Sequence, residues 1–324
     1  MDAVANAYLT DVGPGSAMGR LLRSYWVRVI VSSPAARLPG ARSMLVGKIP
    51  VRRFALALFG AVSLPLAAAP ASGQSIRQPD IEAAATRLGV DPQVIDDLVT
   101  ANRILAHEGV LDAYGHVSIR HPARPDHFLL ARSLASEFVT AADIIEYDLD
   151  SNPVAPTASP QFIERFIHGE IYKARPDVKA VIHSHSSALI PFSVSNIPLR
   201  AVFHMAAVIA EGVPVWDPAT SDGPDAEGLL VRNRALGASL AATLGRRHVA
   251  LLRGHGVVGV SSDLKSAVRN AIFLDSNARI QSAAIALGGS VKYVTSAEAN
   301  AMSRGQGDSD RAWDYWKRRA LGPK

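Results

Sequence analysis

Two histidines two positions apart are the first residues in this sequence whose spacing suggests chemistry. His183 and His185 stand in VKAVIHSHS, where an apolar run ends. Side chains at positions i and i+2 of a strand leave the same face of a sheet, so both imidazoles can reach one divalent cation. The pair alone is a weak signal, because two solvent-facing histidines at a strand end would show the same pattern.

A third histidine and a glutamate favour a metal site. His255 stands in RGHGVV after the apolar run VALL, and the glycines on both sides of it permit an unusual turn. Three imidazoles with one open coordination position are typical of a catalytic metal. Glu164 precedes His183 and opens a helix, with His168 one turn later. It is the fourth candidate ligand, or else a solvated carboxylate of that helix.

These side chains depend on short strands and amphipathic helices for their positions. Apolar residues recur at helical spacing from Asp80, again after the capping pair Asp91-Pro92, and over 161–175. Strands are predicted for the short apolar runs 116–120 and 127–131 and for the run that ends at His183. Residues 248–260 are predicted to form a strand, a turn and a second strand, and a helix should follow from Ser262 to about Leu287. Helices that alternate with short strands indicate one α/β domain.

The charge distribution argues against nucleic acid as a partner. The chain of 324 residues carries a formal net charge of +5. Residues 1–79 contain nine basic and two acidic side chains, whereas residues 80–324 contain 25 basic and 27 acidic ones. A nucleic-acid-binding domain needs a basic patch on its folded part, so we expect no nucleic acid among the partners. The absence of cysteine from the sequence excludes Cys nucleophiles, Cys-ligated zinc and disulfides.

Residues 51–74 have the pattern of a secretory signal peptide. Arg52 and Arg53 precede the uncharged run 54–69, and small residues follow it. The run is shorter than the roughly 20 residues of a membrane span, so we expect no stable span in the mature form. Translation from Met44 would place the signal at an ordinary position; a buried core helix is the alternative. We expect export to the periplasm if the signal is used, and a cytoplasmic protein otherwise.

Residues 1–50 are expected to be a disordered leader or the product of a misannotated start. Within 1–43, LTDVGPGSAMGRLLRSYWVRVIVSS resembles the N-terminal leader of Rieske-type aromatic-ring oxygenases. The cluster of that family needs cysteine, which this chain lacks, so we interpret the segment as a remnant. The expected organisation is therefore a leader, the signal-like segment 51–74, and a catalytic domain over 80–324.

Taken together, the motifs resemble the class II aldolase/adducin family. Glu164, RPD at 175–177, HSHS at 183–186 and RGHG at 253–256 carry the resemblance, which covers about 95–290. It implies a three-layer α/β/α fold with a largely antiparallel central sheet and a homotetramer with active sites between subunits. It also implies one divalent metal ion per subunit (Zn, Mn, Co or Fe) with the ligands His183, His185, His255 and Glu164, the last as fourth ligand or acid/base.

Two departures from the family pattern bear on the substrate. Sugar-phosphate enzymes of this family carry Gly-Asn where this chain has Gly115-His116, and a serine pair where it has Phe162 and Ile163. Phe and Ile side chains cannot donate hydrogen bonds to a phosphate. Segments such as GVLDAYGHVSIRHPARPDHFLLARS and the C-terminal RAWDYWKRR are instead similar to metal-dependent decarboxylases of hydroxylated aromatic or pyridine dicarboxylates, including dihydroxyphthalate decarboxylases.

We therefore expect a metal-dependent carbon–carbon lyase that decarboxylates an ortho-hydroxy aromatic dicarboxylate. Decarboxylation and retro-aldol cleavage both leave carbanion character beside an oxygen, which a metal stabilises as a Lewis acid. After CO2 leaves, the ring carbon needs a proton, and Glu164 and His116 are the candidate catalytic donors. His116 could instead bind substrate or be structural. An aldolase or epimerase acting on a sugar-like substrate and an adducin-like scaffold without catalysis are the alternatives.

Several further side chains are candidates for the substrate pocket. Arg120, Arg132 and Ser133 follow the strands beside the altered phosphate site and could bind the second carboxylate. His204 could line the pocket or be an ordinary core histidine. The aromatic residues of the C-terminal helix could close the pocket of a neighbouring subunit, or simply pack that helix on the body.

Overall fold

The computed structural model describes residues 77–220, 228–303 and 309–322. The expected leader, 1–50, and the signal-like segment, 51–74, lie outside these ranges. Within them, no helix combines the length and apolarity that crossing a bilayer requires.

A seven-stranded sheet forms the centre of the fold, in the order β3-β2-β1-β4-β7-β6-β5. The strands are β1 His116–Arg120, β2 His127–Ala131, β3 Ile144–Asp148, β4 Ala180–Ser184, β5 Val215–Trp216, β6 Val249–Leu252 and β7 Gly256–Ser261. Neighbouring strands are antiparallel except β5 and β6, which are parallel. The expectation of a largely antiparallel sheet is confirmed.

Helices surround the sheet, and some of them begin at a side-chain cap. Their bounds are α1 Gln78–Leu88, α2 Pro92–His107, α3 Phe166–Ala174, α4 Ile190–Val194, α5 Arg234–Leu244, α6 Leu264–Ala286, α7 Ser296–Ser303 and α8 Ser309–Leu321. Asp91 accepts a hydrogen bond from the Gln93 N–H at the start of α2, and Asp263 accepts one from the Ser266 N–H at the start of α6.

The sheet has hydrophobic cores on both of its faces because strand residues alternate between the faces. Val117 and Ile119 of β1 join the core that α1, α2, α6 and α8 cover. Phe128 and Leu130 of β2 join the core on the opposite face, beneath α3 and α5. The predicted three-layer α/β/α arrangement is therefore confirmed. Trp313 and Trp316 of α8 are buried in the first core of the same chain, as the packing interpretation of that helix expected.

The predicted helix over 161–175 is interrupted at its start. Ile163–Arg165 form a 3-10 turn, and Glu164 has φ −91° and ψ 17°, outside the helical range, before α3 begins at Phe166. The kink allows Glu164 to leave the face that α3 packs on the core. The prediction that this glutamate opens a regular helix was therefore wrong, because the α-helix begins two residues later.

Candidate metal centre and active site

The four predicted ligands converge at one end of the sheet. His185 Nε2 lies 3.1 Å from His183 Nε2 and 3.0 Å from His255 Nε2. Glu164 Oε2 lies 3.4 Å from His183 Nε2 and 3.3 Å from His255 Nε2. The ligand atoms all lie within 4.8 Å of one another. Atoms this close can share one ion at the bond lengths of about 2.0–2.2 Å that imidazole and carboxylate ligands make.

Strand ends and a tight turn bring the histidines together. His183 is the fourth residue of β4 and His185 follows the strand directly. His255 occupies the turn between β6 and β7, where Gly254 has a φ of 63° that favours glycine. A Cβ on Gly256 would lie 2.1 Å from the carbonyl oxygen of Ser184, so only glycine lets β7 approach the end of β4 this closely.

Oxygen acceptors hold two of the histidines in the tautomer that a metal ligand needs. His183 Nδ1 donates to the Val257 carbonyl at 3.2 Å, and His255 Nδ1 donates to the Leu229 carbonyl at 2.9 Å. A carbonyl has no hydrogen, so each Nδ1 must carry the proton. The Nε2 lone pairs are therefore left for the ion, with the rings oriented by their outer partners.

Asp112 performs the same task for the third histidine. Its two carboxylate oxygens each lie 3.1 Å from His185 Nδ1. Although burial acts to raise the pKa of Asp112, hydrogen bonds from the N–H groups of Tyr114 and Gly115 lower it below its usual value. An ionised Asp112 orients His185 and increases its basicity as a ligand. Asp112 could not be identified from the sequence, because nothing in its local pattern distinguishes it from an ordinary turn aspartate.

Glu164 is held as a carboxylate. Its Oε1 accepts the Val231 N–H at 2.8 Å, and Oε2 faces the two imidazoles. Burial acts to raise the pKa of Glu164, but His183 and His255 hold it well below its usual range. Three neutral imidazole nitrogens and one carboxylate are a donor set that suits a divalent transition metal. The residues present thus fit the ion that the sequence predicts.

His116 lies beside this cluster and is almost completely buried, at 1% exposure. It stands opposite His183 in the register of β1 and β4, and the two ring centroids are 5.1 Å apart. On its other side the ring contacts Phe162, 4.4 Å between centroids. Burial and the neighbouring imidazoles hold the pKa of His116 well below its ordinary value, so the ring is neutral.

Three polar side chains behind His116 escaped the sequence analysis as a group. His168, Ser118 and Tyr172 are fully or almost fully buried and connect to His116 through hydrogen bonds. His168 and Tyr172 are four residues apart on α3 and share one face of it, and in the sequence Glu164 precedes His168 by the same spacing. That spacing is the sequence signal for the group, of which the sequence analysis uses only Glu164 and His168.

Arg120 does not serve the predicted role in substrate binding. Its guanidinium is buried and donates to four backbone carbonyl groups, those of Val178, Pro125, Tyr172 and Arg175. Arg120 also lies at the far end of β1 from His116. The prediction is corrected: with its donors occupied by carbonyl groups, this arginine ties β1 to the segment that follows α3.

The other predicted substrate residues differ in position. Arg132 follows β2 beside β1, and its side chain pairs with Asp143 at 2.6 Å while remaining partly exposed. Ser133 donates its backbone N–H to Pro160 O. His204 is exposed and its ring lies 5.8 Å from that of Phe203, so it is not the core histidine that the alternative considered. Substrate binding by these three residues stays a prediction.

The fold and site define the class of the protein. Residues 96–282 match the family model described as the class II aldolase and adducin N-terminal domain. The chain belongs to the class II aldolase and adducin family, as predicted, and a divalent metal is the cofactor that this family and the His/Glu cluster indicate.

Individual relatives are similar over more than half of the chain. The chain is 38% identical to the decarboxylase tropJ of Talaromyces stipitatus over 200 residues, and this match covers 58% of this chain and 75% of that protein. It is 32% identical over 212 residues to the 3,4-dihydroxyphthalate decarboxylase of Arthrobacter keyseri, and this match covers 60% of this chain and 80% of that protein. Among solved structures, an aldolase II superfamily protein from Pseudomonas syringae superimposes with a TM-score of 0.60 at 25% identity, covering 73% of this chain and 96% of that one.

Proposed function

We propose that this protein is a metal-dependent decarboxylase of an ortho-hydroxy aromatic dicarboxylate. The observation that carries the proposal is the pairing of a three-histidine, one-glutamate cluster with His116 and Phe162, where a sugar-phosphate enzyme would have phosphate donors. The relatives named decarboxylases support the reaction type. Retention of the whole cluster argues against the adducin-like scaffold, which has no need of four converging ligands.

The chain's own residues divide the work of this reaction. His183, His185, His255 and Glu164 would hold the ion, which when bound supplies a Lewis acid for the substrate oxygen. Phe162 is buried against His116 and gives that side of the site an apolar wall. His116 would hydrogen-bond the substrate or return a proton to the ring carbon after CO2 leaves. Glu164 is the less suitable proton donor of the two, because it is ionised and turned towards the imidazoles.

A panel of substrates tests the reaction type. We expect CO2 release from ortho-hydroxy aromatic dicarboxylates and no cleavage of phosphorylated sugars, and the release should stop when a chelator removes the ion. Efficient cleavage of a phosphorylated sugar would overturn the proposal. Cleavage of a sugar-like substrate without phosphate, together with no CO2 release from the panel, would favour the aldolase or epimerase alternative.

The identity of the ion and the assembly belong to the same proposal. We propose one Zn, Mn, Co or Fe ion per subunit, because each accepts imidazole nitrogen together with a carboxylate, and a homotetramer with active sites between subunits. Elemental analysis of the purified protein and light scattering in solution measure both. A metal-free, fully active protein or an active monomer would contradict them.

The leader and its destination are also proposals. A chain that begins at Ser75 should fold and keep full activity, because none of the proposed ligands or substrate residues precedes it. Loss of folding on that truncation would contradict the proposed domain boundary. If residues 51–74 act as a signal, a reporter fused behind them should reach the periplasm; a cytoplasmic reporter would indicate that the segment is not used.

A further inference from the structure

A chain of buried hydrogen bonds runs from Tyr172 to His116. The Tyr172 hydroxyl lies 2.8 Å from Ser118 Oγ, and that oxygen lies 2.6 Å from His168 Nδ1. On its other side His168 Nε2 lies 2.7 Å from His116 Nδ1. These groups are at most 1% exposed, so bulk water does not supply alternative partners, and the direction of each bond has to follow from the protons available.

Counting protons leaves two possible directions. Burial lowers the pKa of His168 to about 3, so its ring is neutral and carries one N–H. In one direction each group donates towards His116, which then accepts at Nδ1 and carries its own proton on Nε2. In the other direction His116 Nδ1 donates to His168, His168 donates to Ser118, and Ser118 donates to Tyr172.

Tyr172 decides between the two directions. Burial raises the pKa of Tyr172, so the phenol keeps its proton and has one hydrogen bond to donate. Its hydrogen-bond partners are Ser118 and the backbone of Val181, and since the Val181 N–H can only donate to the phenol oxygen, Ser118 is the partner that can accept the phenol proton. If Ser118 donated to Tyr172, the phenol proton would lose this acceptor, and an unsatisfied buried donor costs about 1–3 kcal/mol. The phenol therefore donates to Ser118. The buried Ser118 proton needs an acceptor for the same reason, and His168 Nδ1 is the hydrogen-bond partner that remains for it, so His168 carries its proton on Nε2 and donates to His116.

We propose that Tyr172, Ser118 and His168 are positioning residues that hold His116 as the Nε2–H tautomer, with this N–H directed away from His168 and offered to the substrate. The identity of the substrate in this inference rests on the proposed function, whereas the tautomer of His116 does not depend on it. It assigns His116 a chemical role opposite to that of its neighbour His183: a hydrogen-bond donor, and not a further ligand of the ion.

Nitrogen NMR of the zinc-loaded protein reads the tautomers directly, whether or not the protein is a decarboxylase. In protein labelled with ¹⁵N at histidine, protonated and bare ring nitrogens of a neutral imidazole give distinct signals, and His116→Asn and His168→Gln assign the two rings. We expect the Nε2–H pattern for both His116 and His168. An Nδ1–H pattern for His116 would overturn the inference.

Variants at His168 supply the kinetic test. In His168→Gln the amide can accept from Ser118 and donate to His116, whereas His168→Met can do neither. We expect His168→Gln to keep most of the wild-type kcat and His168→Met to lose about 10²-fold, the lower end of what a positioned proton donor contributes. Equal losses in two variants that melt like the wild type would overturn the inference.

Ser118→Ala tests the middle of the chain. Removing the hydroxyl leaves nothing to select a direction at His168, so His116 should become a mixture of tautomers in the NMR spectrum. Ser276→Ala is the matched control, because that hydroxyl donates only to the Ile272 carbonyl within α6 and its loss should leave the His116 signals unchanged. A single Nε2–H form of His116 in Ser118→Ala would show that the chain does not set the tautomer.

Discussion

Two groups of histidines lie side by side at one end of the sheet and differ in what holds their Nδ1 atoms. His183, His185 and His255 each face an oxygen that can only accept, so each presents a bare Nε2. His116 faces the nitrogen of another imidazole, His168, at the end of a chain of donors. The same side chain thus becomes a metal ligand or a hydrogen-bond donor according to the group behind it.

The largest effect is expected from removing a ligand of the first group. His183→Ala, His185→Ala or His255→Ala should each reduce metal content from about one ion per subunit to nearly none, because two imidazoles seldom hold a labile divalent ion. Elemental analysis after dialysis measures this. His204→Ala, which removes an exposed histidine, is the control and should keep its ion. Full metal content in the ligand variants would show that the ion binds elsewhere.

Removing His116 should affect turnover and leave the ion in place. His116→Asn is expected to lower the rate of decarboxylation by about 10²-fold if His116 donates the proton. If it binds substrate equally in ground and transition states, KM should rise instead. The variant should not gain sugar-phosphate cleavage, because Phe162 and Ile163 still offer no hydrogen bond. Unchanged kcat and KM would remove His116 from the site.

Asp112→Ala tests the outer partner of His185. Metal affinity should fall by about 10–100-fold, as is typical when the partner behind a ligating histidine is lost. Competition with a chromogenic chelator measures the affinity. Asp126→Ala, at an aspartate whose side chain is 76% exposed, serves as the control. An affinity equal to wild type would mean that Asp112 does not support the ligand set.

The smallest effect on catalysis is expected at Arg120, in spite of its place on the same strand as His116. Arg120→Met should lower the free energy of unfolding by about 2 kcal/mol or more, since buried carbonyl groups lose a charged donor, while KM at a permissive temperature stays near the wild-type value. Thermal denaturation and steady-state kinetics separate the two. A large rise in KM without destabilisation would restore the substrate-binding role.

A part of this site can be predicted from the sequence when the residues that form it are close together in the chain. The ligands could be predicted because H-x-H at a strand end, G-H-G in a turn and a preceding glutamate are short local patterns that occur together in this chain, although the H-x-H pair alone is a weak signal. Asp112, the Leu229 carbonyl and the Ser118–His168 contact could not, because each joins segments that are far apart in the chain. Arg120 was misjudged for the same reason: its residue type is visible, but three of the four carbonyl groups that it binds come from α3 and the segment beyond.

Metal titration of the metal-free protein tests the central claim most directly. CO2 release from the best ortho-hydroxy dicarboxylate should be absent after chelation, rise in proportion to added divalent metal, and reach its plateau at one equivalent per subunit, while the His255→Ala variant stays inactive throughout. Release of CO2 by the metal-free protein, or equal activation of His255→Ala, would contradict the account.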